Sequence, residues 1–267
     1  MGDLDDRQSP RSDALPVLWQ FRYSHFNEKA RWALDFKRIA HVRRSVLPGP
    51  HAPRIFWMTG QKAVPVLVIH GRAIPDSTHI IATAEARQPD RPLYPVDERE
   101  RERALALEDF FDEELGPYLR RAWFFETLQD PRFCAAQLST GTSPLVRRLF
   151  RAAFPVIAAV MKADMQINPD GAEFARTKVV AALDRIEAEL QPSGYLVGDR
   201  FTVADLTAAA LFFPIVMPAE FPYPLMTPLP PSAARLRDAL AGRRAFQWVG
   251  EMYRRHRGVS AEVPGPR

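Results

Sequence analysis

The stretch that decides the fold is Val64-Pro65-Val66-Leu67-Val68-Ile69, followed by His70-Gly71 and Arg72-Ala73-Ile74. Two short apolar runs around a two-residue turn predict a β-hairpin. Proline has no N–H to donate to a central strand, so Pro65 should mark a strand start or edge. A cis bond before Pro65 would turn the Val64 backbone outward to pair with an extended peptide. Taken alone, a trans proline entering an edge strand explains the residue equally simply.

The segments around this hairpin predict a small α/β unit. A buried strand is expected at residues 17–21, a helix with one apolar face at 26–36 and a second strand at 41–47. Residues 48–60 are irregular or a short helix, and a further helix runs from Ser77 to about Arg87. The first 90 residues therefore predict a βαβ unit followed by ββα, with a mixed four-stranded sheet.

The rest of the chain predicts helices. After a proline-containing linker at residues 89–96, apolar residues recur at helical spacing. The predicted helices cover residues 97–128, 143–166 and 171–190, one begins at Thr202, and the last covers 244–255. The proline-rich residues 221–231 predict a loop. We thus expect a flexible tail (1–14), an α/β domain (15–88), the linker and an all-helical domain (97–267).

Composition excludes several classes of function. The 267 residues suffice for two domains, and a net charge of +4 is too small to require a nucleic-acid partner. The single cysteine, Cys134, makes neither an internal disulfide nor a CxxC redox or zinc site, so we predict no metal. No apolar run approaches the ~20 residues of a membrane span, and the polar N-terminus is unlike a signal peptide. The predicted location is cytoplasmic.

Two further places could carry chemistry. Ser24 lies in a turn between a strand and a helix, where a hydroxyl can hydrogen-bond a thiolate and lower the thiol pKa. Asp76 and Ser77 begin a helix whose free N–H groups suit a carboxylate. In each case, a residue that only caps its own helix is the simpler alternative.

Four segments in order resemble glutathione S-transferases. The first, residues 24–34 (SHFNEKARWAL), is similar to the family's first-helix motif S-P-F-x-x-K-x-R-x-A-L. Val64-Pro65-Val66-Leu67 resembles its cis-proline segment, and Asp76-Ser77 its acidic-serine pair. Residues 198–205 (GDRFTVAD) resemble G-x-x-F-T-x-A-D, which also predicts a helix-capping box from Thr202 and Asp205. The resemblance spans roughly residues 15–255.

The resemblance implies a thioredoxin-like domain followed by an all-helical one, and it assigns roles. Ser24, or the neighbouring Tyr23, would stabilise the glutathione thiolate. The residues implied to hold glutathione, as co-substrate, are Lys62, Val64, Pro65, Asp76, Ser77 and Asn27. His25 replaces the motif's proline and is expected to be solvated. Without a cysteine from Ser24 to Asn27, a dithiol mechanism is disfavoured.

The second substrate would be a small hydrophobic electrophile held between the two domains. Its apolar wall would come from the first two long helices, with Tyr118 and Trp123 ranked first because their rings have polar tips. The other aromatic candidates are Phe110, Phe111 and Phe124. The resemblance also implies a homodimer and a role in detoxification.

Two alternatives stay open. One is a non-catalytic interaction or ligand-binding module of the same fold, favoured by His25 and by the long helical half. The other is a membrane-associated relative, because Leu149 to Met161 is apolar and flanked by basic residues; membrane contact is the less favoured expectation.

Overall fold

The computed structural model describes residues 15–265, and the predicted tail at 1–14 lies outside them. A four-stranded sheet with three helices comes first along the chain. These elements are β1 (Val17–Gln20), α1 (His25–Phe36), β2 (Val42–Ser45), α2 (Ala52–Thr59), β3 (Val66–Ile69), β4 (Arg72–Pro75) and α3 (Ser77–Arg87).

The sheet is mixed and has the strand order β2-β1-β3-β4. β1 pairs with β2 in parallel, and α1 connects these two strands along the chain. β1 pairs with β3 antiparallel on its other side. β3 and β4 form the hairpin around His70-Gly71, with Val66 opposite Pro75. The predicted thioredoxin-like order of βαβ and ββα is confirmed.

Helices make up the remainder. They are α4 (Glu98–Glu114), α5 (Gly116–Thr127), α6 (Pro131–Leu138), α7 (Pro144–Asp164), α8 (Pro169–Glu189), α9 (Val203–Val216), α10 (Pro231–Ala241) and α11 (Arg244–His256). The predicted helical stretch over 97–128 is divided into two helices, because the chain breaks at Leu115 ahead of Gly116-Pro117, which the sequence analysis did not foresee. The short helices α6 and α10 were not predicted.

One hydrophobic core joins the two halves. Trp32 of α1 and Ile81 of α3 belong to the same cluster as Phe111 and Val203 from the helical half. α9 is buried along its whole length, as expected for a helix that is apolar on every side apart from Asp205 and Thr207 in its first two turns. The predicted capping box is confirmed, since the Thr202 N–H donates to Asp205 over 2.8 Å.

Helix α1 buries charged side chains as well as apolar ones. Lys29 Nζ lies 2.8 Å from Glu108 Oε1 and 2.5 Å from Asp112 Oδ2. Arg31 pairs with Glu28 at 2.9 Å and also donates to the carbonyls of residues 21 and 22. These bonds attach α1 to α4 and fix the loop that precedes Ser24.

The segment after α11 returns to the sheet domain. Arg257 pairs with Glu28 at 2.6 Å and with Asp35 at 2.8 Å, and all three side chains are buried. Asp35 also accepts the Ala261 N–H over 2.7 Å, and the Val263 N–H donates to the His41 carbonyl. The chain beyond residue 256 therefore packs on the α/β half, although it follows the helical half in sequence.

Helix α7 leaves an apolar face uncovered. Leu145, Leu149, Val156 and Val160 are each more than half exposed along it. Across residues 15–265, however, no helix combines the length and apolarity needed to cross a membrane.

Candidate functional site

A cavity of about 370 Å³ lies between the α/β half and the helical half. This volume falls within the roughly 300–1,000 Å³ of small-molecule sites. From the first half, its lining includes Tyr23, Ser24, His25, His51, Lys62 and Val64. From the second half, it includes Leu119, Arg120, Trp123, Phe124, Val160, Met161, Asp164 and Pro214. The walls therefore combine polar groups from the sheet edge with an apolar helical surface.

Ser24 caps helix α1 and also borders the cavity. Its backbone is extended (φ −100°, ψ 130°), and its Oγ accepts the Asn27 N–H over a long 3.5 Å. A hydroxyl offers one proton and two lone pairs, so this cap leaves the proton available to a ligand. Capping and ligand binding, which the sequence posed as alternatives, are compatible here.

Tyr23 lies beside Ser24 but its hydroxyl is already engaged. The phenol donates to the carbonyl oxygen of Pro224, in the proline-rich loop, over 2.6 Å. Burial raises the pKa of Tyr23 above its ordinary value of 10.0. Because the proton is used within the protein, the geometry favours Ser24 over Tyr23 as the donor to a bound thiolate.

The peptide bond between Val64 and Pro65 is cis, which is the alternative that turns the Val64 backbone outward, and not the trans proline. Asn27 is completely buried next to it, donating to the Val64 carbonyl and accepting the Phe21 N–H, each over 3.3 Å. The resemblance implied that Asn27 binds glutathione, whereas here Asn27 is not among the residues that line the cavity. Both ends of its amide hold protein backbone, which makes Asn27 a positioning residue for Val64.

Asp76 and Ser77 lie at the N-terminus of α3, outside the cavity lining but next to the cis-proline segment. Because Val66 pairs with Pro75, the residues one step outward, Pro65 and Asp76, are neighbours. Asp76 has φ 74° and ψ 138°, a conformation that glycine adopts readily and other residues rarely. Its carboxylate accepts the Thr78 N–H over 2.8 Å, and Ser77 is buried.

His25 is buried, so its expected solvation was wrong. Its Nε2 lies 3.0 Å from the carbonyl oxygen of Gly116, which can only accept, so Nε2 carries the hydrogen. Burial and the nearby Arg120 charge lower the pKa of His25 to about 3. Phe26 also closes on this break, since a Cβ on Gly116 would lie 2.4 Å from its ring. The turn that carries Ser24 thus packs on the α4–α5 junction.

Lys62 lies at the rim of the cavity, and its side chain reaches across to the helical wall. Its Nζ lies 3.1 Å from Asp164 Oδ1 at the end of α7, with both side chains more than half exposed. Exposed ion pairs contribute only about 0–1 kcal/mol. A ligand carboxylate could therefore exchange for Asp164 at little cost.

The helical wall only partly matches the prediction. Trp123 and Phe124 line the cavity, whereas Phe111 is core. Tyr118 does not line the cavity: it packs edge-on against Phe174 of α8 at 5.5 Å, on another face of α5. Phe110 is likewise not among the lining residues.

Sequence reasoning missed Arg120 and Asp164, the charged residues of the helical wall. Arg120 stands three and four residues before Trp123 and Phe124, so helical spacing alone would have placed it on their face. Asp164 had no such signal, because the end of α7 meets the cavity only through tertiary packing. The structure thus adds charge to a wall predicted to be apolar.

Two family models match the chain. Glutathione S-transferase, N-terminal domain, matches residues 18–92, and Glutathione S-transferase, C-terminal domain, matches residues 155–242. The first holds the sheet and its cis proline, and together they cover more than half of the chain. The protein therefore belongs to the glutathione S-transferase family. No curated protein sequence gives a significant match.

Solved structures show the same fold at low identity. A glutathione S-transferase from Rhodospirillum rubrum is 20% identical, with TM-score 0.57, over 88% of this chain and 91% of that one. One from Methylobacterium radiotolerans, in complex with glutathione sulfonate, is 23% identical (TM-score 0.54; 88% and 93% covered). A theta-class enzyme from Xanthomonas axonopodis with glutathione bound is 19% identical (TM-score 0.54; 87% and 95% covered).

Proposed function

We propose that the protein binds glutathione along the cis-proline edge and joins it, through its sulfur, to a small hydrophobic electrophile in the cavity. The observation that carries this proposal is that Ser24, which borders the cavity together with Val64, accepts a hydrogen bond as the cap of α1, so its hydroxyl can still donate to a ligand. Membership of the family, and the relatives whose structures contain glutathione or its sulfonate, support glutathione as the thiol that is bound.

The chemistry follows from the position of Ser24. A thiol placed beside Oγ would accept its hydrogen bond in the thiolate form, and the positive end of α1 adds to that stabilisation. The bound thiol would then ionise below its ordinary pKa of about 8.5. The thiolate attacks the electrophile, the carbon–sulfur bond forms, and the leaving group departs with its electron pair.

The remaining contacts would hold the two ends of the tripeptide. The Val64 backbone would pair with the cysteinyl residue, beside Pro65. Asp76 and Ser77 would take the γ-glutamyl group, the carboxylate of Asp76 accepting from its ammonium and the α3 N-terminus receiving its carboxylate. Lys62 would exchange Asp164 for the glycine carboxylate.

A spectroscopic titration of the bound thiolate tests this proposal. Wild type should depress the glutathione thiol pKa, Ser24→Ala should return it toward the solution value, and Tyr23→Phe should leave it depressed because that phenol serves Pro224. Tyr23→Phe is the matched control, since it too removes one hydroxyl from the cavity wall.

Two results would contradict the proposal. A pKa that recovers in Tyr23→Phe instead would assign activation to the phenol. Absence of glutathione binding, with no turnover on a broad panel of electrophiles, would favour the non-catalytic module. The homodimer and the detoxification role remain predictions from the family resemblance.

A further inference from the structure

Arg120 brings an unpaired positive charge to the cavity. Its side chain is partly buried and lines the wall, and its Nε is buried without a hydrogen-bond partner. Within residues 15–265, no carboxylate lies within ion-pair distance of its guanidinium. A charge this far from water is costly unless a partner arrives.

The rest of the cavity does not supply that partner. Among the described lining residues, Asp164 is the sole carboxylate, and it is bonded to Lys62 at 3.1 Å. Burial lowers the pKa of His25 and of His51, so both imidazoles are neutral at pH 7. Two cations, Lys62 and Arg120, therefore face one anion; the charge of Asp164 also acts on Arg120, but Asp164 makes no ion pair or hydrogen bond with the guanidinium.

Arg120 also shares its surface with apolar rings. It lies one helical turn before Trp123 and Phe124 on α5, and all three line the cavity. A ligand on this wall would meet an aromatic surface and a guanidinium fork together. That combination suits an aromatic molecule bearing a carboxylate, which arginine binds through two parallel hydrogen bonds.

We propose that Arg120 binds a carboxylate on the second substrate, so that the preferred electrophile is an aromatic acid rather than a neutral hydrophobic compound. This inference rests on the proposed function. The contacts assigned to glutathione all come from the α/β half, whereas Arg120 belongs to the opposite wall. Arg120 thus sets substrate choice and leaves thiol activation to Ser24.

The test reaction is nucleophilic displacement on 4-chloro-3-nitrobenzoate, compared with 4-chloro-3-nitrobenzamide. The glutathione sulfur forms a bond to the ring carbon, the carbon–chlorine bond breaks, and chloride leaves with its electron pair. The thiol proton passes to solvent, so no oxidant or reductant is needed. The two compounds differ only in whether the group opposite the chlorine is charged.

Kinetics should separate the acid from the amide. Arg120→Gln should lower kcat/KM for the acid by about 10- to 100-fold, the usual value of a hydrogen bond to a charged group, and change the amide by less than about twofold. Arg120→Lys should recover part of the loss. Arg151→Gln, which removes an exposed arginine from α7 outside this cavity, is the matched control for net charge and should alter neither rate.

A binding measurement decides the inference without turnover. Calorimetry with unreactive 4-methyl-3-nitrobenzoate and its amide should show tighter binding of the acid to wild type, and equal binding of both to Arg120→Gln. Melting curves confirm that each variant is folded. Equal affinity of wild type for acid and amide would overturn the inference.

The same calorimetry keeps the two proposals distinct. Loss of S-methylglutathione binding in Arg120→Gln, with the acid preference intact, would assign Arg120 to glutathione and overturn the inference. If wild type does not bind S-methylglutathione at all, the proposed function fails, while the acid-to-amide comparison still determines what Arg120 binds.

Discussion

The side-chain amide of Asn27 donates to the carbonyl oxygen of Val64 over 3.3 Å, joining helix α1 to the residue ahead of the cis proline. The residue that presents the Val64 backbone is therefore fixed from within the protein. Asn27→Ala should weaken glutathione binding about fivefold, the value of one ordinary hydrogen bond. Asn27→Asp should weaken it more, because a carboxylate would face the carbonyl. Calorimetric titration checks the order; equal affinity in all three proteins would contradict it.

Asp76 combines a strained backbone with a place at the proposed γ-glutamyl contact. Asp76→Gly should keep or raise the melting temperature, because relief of about 1–3 kcal/mol of strain offsets the lost cap. Glutathione affinity should nevertheless fall. Asp97→Gly is the control: Asp97 caps α4 at an ordinary φ of −64°, so glycine there should only destabilise, by roughly a few tenths of a kcal/mol. A destabilised Asp76→Gly variant with unchanged glutathione affinity would make Asp76 purely structural.

The buried His25 makes stability depend on pH. Its pKa is lowered to about 3 in the folded protein, chiefly by burial, against 6.5 when unfolded, so the unfolded chain binds the extra proton between these values. Stability from this group is thus complete above pH 6.5 and is lost as the pH falls toward 3, at up to about 1.4 kcal/mol per pH unit.

Urea unfolding of wild type and His25→Gln from pH 7 to 4 checks this. The free energy of unfolding of the variant should fall less steeply with pH than that of wild type, and the difference in slope should correspond to about one bound proton. His79→Gln, which removes an exposed histidine from α3, controls for removing an imidazole. Parallel curves for wild type and His25→Gln would show that the ring is protonated at no extra cost.

Arg257 neutralises two buried carboxylates, Glu28 and Asp35. Arg257→Met should destabilise the protein by up to about 3–5 kcal/mol, because each buried acid would lose one of its two cationic partners and keep only Arg31 or Arg43. Arg200→Met is the control, since Arg200 is exposed and its neighbour Asp199 lies 3.6 Å away; its cost should stay below about 1 kcal/mol. Denaturant unfolding measures both, and similar losses would mean that the Arg257 pairs contribute no more than surface ones.

The sequence predicted the elements whose signals are local. Strand and helix periodicity placed β1, α1 and α3 within a residue or two, and capping chemistry identified the start of α9. The break at Gly116 was missed because the helical pattern of charges and apolar residues continues across it, although Gly116-Pro117 is itself a local signal for a helix boundary. Contacts with α1 also hold the break in place, because the Phe26 ring and the His25 imidazole both pack against Gly116.

The candidate site was harder to predict where long-range packing decides it. Sequence reasoning named Ser24, Val64 and Trp123, which all line the cavity, and the roles given to them stay predictions. Tyr118 was misplaced because composition cannot show which face of α5 turns to the cavity. Asn27 lies in a motif, but its use as a backbone support depends on residue 64, far along the chain. The burial of charged side chains on α1 could not be predicted either, because their ion-pair partners come from α4 and from the segment after α11.

That burial has a consequence for how the molecule comes apart. On helix α1, Glu28, Lys29 and Asp35 are shielded from water only while the helical half and the segment after residue 256 both remain packed against them. Residues 15–88 expressed on their own would expose these groups together with the shared core around Trp32. Although the chain has two recognisable folds, heating should produce a single calorimetric peak, with neither fold outlasting the other.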